Sequence, residues 1–372
     1  MTQGIESTHT GSLPVLDETT ALSEEDIREV RRRFADNHRS TTTLERALLQ
    51  GDRIHSLRDL TTKFHIPERL ARIYWRSLGF APVDENTLLF TDGDADAISA
   101  LTALVEDGTL TEQAFISMTR GLGYHMGRLA MWITEALVDE EKDAGTRSDA
   151  EARQAMLDAL PELLGTLESQ VQFTFSRQLA AYALRAGSEK SYGQADERFP
   201  LMRAIGFADL VQFTRLSQGI GGEALAEVVA QFEAVSRDII SLGGGRVVKT
   251  VGDEIMFLAD TPQAGAEIAL SLAEAISDAP DLPSVRVGLC WGSMFSRYGD
   301  VFGPTVNRAA RLQSRAQPGT VLIDQATAEA VESNRPGAFT VSDEQSVELH
   351  GIGEVTVMQL GRGDSQTLVT RL

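Results

Sequence analysis

Asp209 and Asp253 are the residues through which this chain can do chemistry. Asp209 lies at the end of an apolar run, Leu201 to Leu210, and Asp253 falls in the turn Val251-Gly252-Asp253 between two further runs, Arg246 to Thr250 and Glu254 to Leu258. Carboxylates carried at strand ends are hard oxygen ligands on a rigid platform, and a pair of them is what two-metal phosphoryl chemistry requires. The hairpin bearing Asp253 would pair beside the strand bearing Asp209, so the two converge without long flexible connections. Further on, Asn307 and Arg311 are four residues apart, which puts them on one face of a helix. An arginine fork suits phosphate oxygens better than a flexible ammonium does. The set describes a candidate enzyme acting on nucleoside triphosphates.

The elements that must position these residues follow from a change of period. From about Ser23 to Arg185 the pattern is helical: Ser23-Glu24-Glu25-Asp26 is a start signal, and Ile27, Val30 and Phe34 follow at spacings of three and four. Leu44 to Leu49, Ile54 to Leu60, Leu70 to Leu78, Ala95 to Val105, Thr111 to Val138 and Arg153 to Leu184 read as helices, and the segment 139–146 as a polar break. From Arg198 the pattern is mixed. Leu201 to Leu210 reads as a strand, Gly222 to Leu242 as a helix, then a hairpin, then Ala264 to Ala279 as a helix and Val285 to Trp291 as a strand. Val306 to Arg315 and Gln325 to Ser333 read as helices around a strand at Val321 to Ile323, with Val347 to Leu349 and Val355 to Leu360 as a closing strand pair. Strand, helix, two strands, helix, strand is the split βαβ arrangement. The expected fold is therefore α+β: an all-α domain at 1–186, a linker at 187–196, a ferredoxin-like βαββαβ domain at 197–362 and a polar tail at 363–372.

Composition narrows the class. The chain has 372 residues, 42% of them hydrophobic, enough for two or three domains each with its own core. It holds no apolar run of about 18 residues, and its first 25 residues lack the basic and apolar segments of a signal peptide, so neither membrane spanning nor secretion is expected and a cytoplasmic place is. Cys290 is the single cysteine, which excludes an intrachain disulfide framework. A formal charge of −20 repels polyanions, so no nucleic-acid partner is expected, whereas a nucleotide that arrives with its metal is compatible.

Three ordered motifs, Phe207-x-Asp209-x-x-x-Phe213-Thr214, Lys249-x-x-Gly252-Asp253-Glu254, and the run Gly299 to Gly303 followed by Val306-Asn307-x-Ala309-x-Arg311, resemble the catalytic domain of class III nucleotide cyclases. The helical half is similar to the N-terminal regulatory domain of some actinobacterial adenylyl cyclases. The resemblance implies that Asp209, Asp253 and the backbone carbonyl of Leu210 hold two Mg²⁺ or Mn²⁺ ions, and that the backbone amides of Phe213 and Thr214 meet the terminal phosphates. It implies adenine selection by Lys249 and Asp300: the ammonium donates to N1 and the carboxylate accepts from the N6 amine, both contacts unfavourable with guanine. It implies ribose orientation by Asn307, stabilisation of charge on the α-phosphate by Arg311, ATP as substrate with 3′,5′-cyclic AMP and pyrophosphate as products, and an obligatory homodimer whose sites are shared between two copies. Two positions depart from the pattern: Gln212 stands where glycine is usual, and His350 where some members carry a phosphate-binding lysine. Arg308 is expected to be solvated or at an interface.

Two other classes stay open. Residues 68–80 and 89–94 resemble part of the winged helix of MerR-like regulators, with Arg69, Arg72 and Arg76 as a basic stripe that would meet DNA. A weakly catalytic signalling scaffold would instead use the Phe-, Met- and Trp-rich segment Phe115 to Val138 to bind a partner or an apolar ligand. The dispersed His38, His55, His65 and His125 form no metal spacing, but imidazoles can sense pH.

Overall fold

A computed structural model describes residues 43–143, 148–188, 201–334, 336–364 and 368. The contacts divide the chain into two compact units, Met1–Gln178 and Leu179–Leu372.

The first unit is helical: α1 (Thr43–Leu48), α2 (Leu57–Thr62), α3 (Glu68–Ser77), α4 (Asp92–Glu106), α5 (Glu112–Asp143) and α6 (Asp149–Ser188), the last running on across the division. Local chemistry sets the starts. Ser56 with Asp59 and Thr91 with Asp94 form reciprocal capping boxes before α2 and α4, each stabilising its helix by about 1 kcal/mol. Leu57, Leu60, Ala71, Phe90 and Ile98 make a small core. Two expectations change here. Ile54 to Leu60 is not one helix, because His55 bridges to Phe90 as an isolated antiparallel pair and Ser56 starts the helix afresh. The polar segment from Asp139 to Asp143 continues α5, since Glu and Lys are good helix formers and polarity alone stops nothing. Residues 89–94 form the His55 bridge and the cap of α4.

The second unit is a nine-stranded sheet with five helices: β1 (Leu201–Leu210), α7 (Phe213–Gly219), α8 (Gly222–Leu242), β2 (Arg246–Val251), β3 (Glu254–Ala259), α9 (Pro262–Asp278), β4 (Val285–Arg297), β5 (Asp300–Phe302), α10 (Pro304–Arg315), β6 (Val321–Asp324), α11 (Gln325–Asn334), β7 (Phe339–Val341), β8 (Gln345–Leu349) and β9 (Gly353–Arg362). The order is β2-β3-β1-β4-β6-β9-β7, with β5 on β4 and β8 on β9. Its first four strands with α8 and α9 form the expected ferredoxin-like βαββαβ unit. Alternation along the strands sorts side chains to two faces. Ala204, Ala208, Phe257, Val287 and Leu289 pack under α8, α9 and α11. Ile205, Phe207, Met256, Leu258 and Cys290 face the other way, under α10 and Leu349 of β8. Of the expected linker, residues 189–196 lie outside the described residues; beyond β9, Leu368 packs on the α9 face and its N–H donates to Ser271 Oγ at 3.2 Å.

Candidate functional site

Strand register builds the carboxylate cluster. Asp209 is opposite Glu254 on β3 and opposite Arg286 on β4, so these three side chains share the α10 face of the sheet. The tight turn between β2 and β3 brings in Asp253: Gly252 takes φ +62° at its first central position, a conformation that costs glycine little. The backbone N–H of Leu210 donates to the Asp253 carbonyl at 3.1 Å, pinning the hairpin tip to the end of β1. Asp209 is 8% exposed, and Arg286 forks onto its Oδ2 through Nε at 2.8 Å and Nη2 at 2.7 Å. Burial first, then the negative charge of Asp209, holds the Asp253 carboxyl above its ordinary value. The Glu254 carboxyl is raised in the same way, by burial and then by Asp209 and Asp253. Like charges crowded in this way are a site short of positive charge.

The donor set fits a hard divalent ion. Among the described residues no group of three or more His, Cys, Asp or Glu side chains is arranged to hold a metal by itself. Ions of the magnesium type are commonly held by one or two carboxylates, with substrate phosphates and water filling the octahedron. Asp209 and Asp253 therefore suit an ion that arrives with a nucleotide.

Next to this cluster, Gln212 sits in the left-handed region at φ 60°, ψ 25°, where a residue with a Cβ is strained by about 1 kcal/mol. That backbone is the one glycine would favour. It opens α7 without a side-chain cap, and the amides of Phe213 and Thr214 have no acceptor among the described residues.

Lys249, Asp300 and Asn307 gather on a cleft of about 680 Å³ that is also lined by Val306, Arg308 and Ile352 but not by Arg311. Lys249 Nζ lies 2.6 Å from Asp300 Oδ2, so the two are an ion pair at the cleft. Gly303 and Pro304 start α10, and the absence of a side chain at Gly288 lets its backbone near Ala309 and Gln313 lie against β4. Asn307 and Arg311 are exposed on α10, and neither side chain has a hydrogen-bond partner among the described residues. No bond joins them to Asp209 or Asp253 within one chain. Arg308, expected to be solvated or at an interface, is one-third exposed and also donates to the buried Asp324 at 2.7 Å. His350 lies in the turn between β8 and β9 and is exposed.

Arg286 and Glu254 escaped the sequence reading as site residues. Arg286 is separated from Asp209 by 77 positions, and only register brings them together; Glu254 was visible as part of the Gly-Asp-Glu run but not as Asp209's neighbour. Two of the three arginines of the basic stripe pair with acids: Arg69 with Glu112, and Arg72 with Glu68 and Glu85. Of the four histidines, His38 lies outside the described residues, His65 and His125 are exposed, and His55 is buried with Nε2 at 2.7 Å from Asp92 Oδ1. No described helix is long and apolar enough to cross a membrane.

The sheet order, the carboxylate pair and the α10 face define a nucleotide cyclase catalytic unit. The family described as adenylate and guanylate cyclase catalytic domain matches residues 202–362. An adenylate cyclase of Glutamicibacter nicotianae is 37% identical, covering 89% of this chain and 84% of its own length. One from Streptomyces coelicolor is 36% identical over 78% of this chain and 75% of its own. A protein named as a pH-sensitive adenylate cyclase of Mycobacterium tuberculosis is 26% identical over 84% of this chain and 79% of its own. The chain belongs to the class III adenylate cyclases, with a helical N-terminal region before the cyclase domain, and as such depends on a divalent metal.

Proposed function

We propose that the protein converts ATP to 3′,5′-cyclic AMP and pyrophosphate at two equivalent sites shared by a homodimer. The observation that carries this reading is the convergence of Asp209 and Asp253, crowded enough to raise the Asp253 carboxyl, at the end of β1. In this reading Asp209, Asp253 and the Leu210 carbonyl hold two ions, Mg²⁺ or Mn²⁺, which when bound supply Lewis acidity to the ribose 3′-hydroxyl and neutralise the triphosphate. The chain's own groups do the rest. The Phe213 and Thr214 amides receive terminal phosphate oxygens, and Arg286 adds a cation beside them. Lys249 and Asp300, already paired at 2.6 Å, open to donate to adenine N1 and accept from the N6 amine. Asn307 orients the ribose so that O3′ faces the α-phosphorus. As the new P–O bond forms and the bond to pyrophosphate breaks, Arg311 stabilises the charge on the α-phosphate oxygens.

Two observations support the homodimer. Asn307 and Arg311 present unpartnered side chains, and on α5 the apolar Met118, Leu122, Met131 and Trp132 are exposed to a degree unusual for a monomer. The cytoplasm, where ATP is abundant, is the place this reading requires. Residues 1–186 act as its regulatory domain, 187–196 as linker, 197–362 as catalytic domain and 363–372 as tail. The proton-sensing arm rests on His55, whose buried pair with Asp92 joins the start of α4 to the bridge at Phe90.

Chromatographic product analysis with Mg²⁺ and with Mn²⁺ tests the reaction. Cyclic AMP and pyrophosphate in equal amounts are expected, and a metal-loaded dimer that forms no cyclic AMP at any pH between 5 and 9 removes the proposal. The same assay on His55→Gln should give a flatter pH–rate profile; an unchanged profile removes His55 from the regulation without touching the reaction.

A further inference from the structure

We propose that the Arg308–Asp324 pair is a positioning device that fixes the catalytic face of α10. The inference rests on the reading of Asn307 and Arg311 given above. Arg308 follows Asn307 directly, but its side chain turns inward: Nη1 donates to Asp324 Oδ2 at 2.7 Å. Asp324 ends β6 and is 2% exposed. Its other oxygen accepts from the Thr327 backbone N–H at 3.0 Å and from the Thr327 hydroxyl, closing the first turn of α11. Thr327 is itself fully buried, and its Oγ1 accepts from the Trp291 backbone N–H of β4 at 2.7 Å. A continuous run of hydrogen bonds thus leads from the helix that carries Asn307 and Arg311 into the middle of the sheet.

Hydrogen bonds also tie the two ends of that helix, from Thr305 Oγ1 to the Ser293 carbonyl at 2.9 Å and from Arg315 Nη2 to the Glu348 carbonyl at 3.0 Å, and between them Arg308 is the directional contact of the turn that follows Asn307. Ala309 and Leu312 rest on the sheet through apolar contact, which sets distance but tolerates rotation and sliding. A charge-assisted hydrogen bond from a planar guanidinium to a carboxylate fixes both. The catalytic side chains supply no anchor, since Asn307 and Arg311 project without partners among the described residues. Arg308 also lines the same cleft as Lys249, Asp300 and Asn307, so the anchor and the base-selecting pair belong to one wall. Buried ion pairs are weak contributors to stability compared with apolar packing, and fixing one arrangement over others is the role such a pair can serve. Asp324 therefore acts through Arg308 and α10, touching no substrate.

The test separates this role from mere stability. Asp324→Asn keeps size and the acceptor for Thr327, and Arg308, one-third exposed, can still be hydrated. The double variant Arg308→Met/Asp324→Asn removes both charges, so no uncompensated carboxylate is left inside. In the full-length dimer, both are expected to lower kcat by about 10- to 100-fold, the scale of an ångström-sized misplacement, with KM for ATP within about twofold of wild type. The double variant should regain most of the Tm lost by Arg308→Met alone, while kcat stays low. Wild-type kcat in Asp324→Asn, or recovery of kcat together with Tm in the double variant, overturns the proposal. Arg311→Ala is assayed in parallel: if it too keeps full activity, the reading of α10 as the transition-state face has failed, and not only the anchor.

Discussion

The two parts of the proposed active site are held in opposite ways. Asp209 is buried, forked by Arg286 and pressed against Asp253 and Glu254, with its position decided by the register of three strands. Asn307 and Arg311 stand on the exposed face of a helix tied to the sheet through Thr305, Arg308 and Arg315. One region has an excess of negative charge and rigid backbone; the other offers a cation and an amide with nothing to meet. The contrast is what a site divided between two copies requires. A metal-holding half must be preorganised before substrate comes, because two carboxylates repel each other unless strands force them together. A half that acts on the transition state must reach out of its own chain. The proposed two-fold dimer meets both requirements, each copy giving one half to each site.

The sharpest way to break that comparison is to damage each half in a different chain. Asp209→Ala and Arg311→Ala should each bring the homodimer to background turnover, the second by loss of charge stabilisation on the scale of about 10² to 10³. Mixed after verified subunit exchange, the two variants can form one intact site, from the metal half of the Arg311→Ala chain and the α10 half of the Asp209→Ala chain. Recovery toward one-quarter of wild-type turnover is expected for random exchange of equal amounts, since about half the dimers are mixed and each carries one of two sites. No recovery would mean that both halves serve the site from one chain.

A smaller effect is expected at the base. Lys249→Gln and Asp300→Asn each alter one side of the donor–acceptor pair, so kcat/KM for ATP should fall while GTP gains relative to it. The preference for ATP should drop by about 10- to 100-fold, the value of one or two buried polar contacts. Parallel ATP and GTP kinetics decide it: a preference unchanged in both variants would leave the 2.6 Å pair as a surface ion pair with no part in selection.

The strands that carry the chemistry were legible because their signal is local. Leu201 to Leu210 is apolar but for Arg203 and Asp209, and eight of its ten residues are buried; the Gly-Asp turn announces its own hairpin. What escaped was either too short or too far apart. β5 and β7 are three residues each, below the length at which alternation can be seen. β4 runs six residues past Trp291, because pairing with β1 and β5 carries it through the polar stretch Gly292 to Arg297. Arg286, and the inward turn of Arg308 to Asp324, depend on pairings that sequence spacing does not encode. Gln212 is the reverse case: its departure from glycine was visible, and the left-handed backbone it must adopt explains why glycine is the usual choice.

The smallest effect sharpens the electrostatic side of the contrast. The Asp253 carboxyl is raised above its ordinary 3.8 by burial and by Asp209. A carboxyl whose pKa is higher in the folded protein favours the fold when protonated. Its contribution is therefore fully present below pH 3.8 and is lost as pH rises through the raised value. Above that value, without metal, burial of the Asp253 carboxylate beside Asp209 opposes folding. Asp253→Asn relieves that repulsion and should raise Tm at pH 7 by roughly 1–3 °C, with no gain at pH 3.5 and with cyclase activity reduced to background. Added Mg²⁺ or Mn²⁺ should raise the wild-type Tm more than that of the variant, because the ion binds the folded pair and not the unfolded chain. Calorimetry at the two pH values, with and without metal, checks all three signs. A variant less stable than wild type at pH 7 in the absence of metal would show that the hairpin tip needs the Asp253 carboxylate for its own hydrogen bonds more than it suffers from the charge of Asp209.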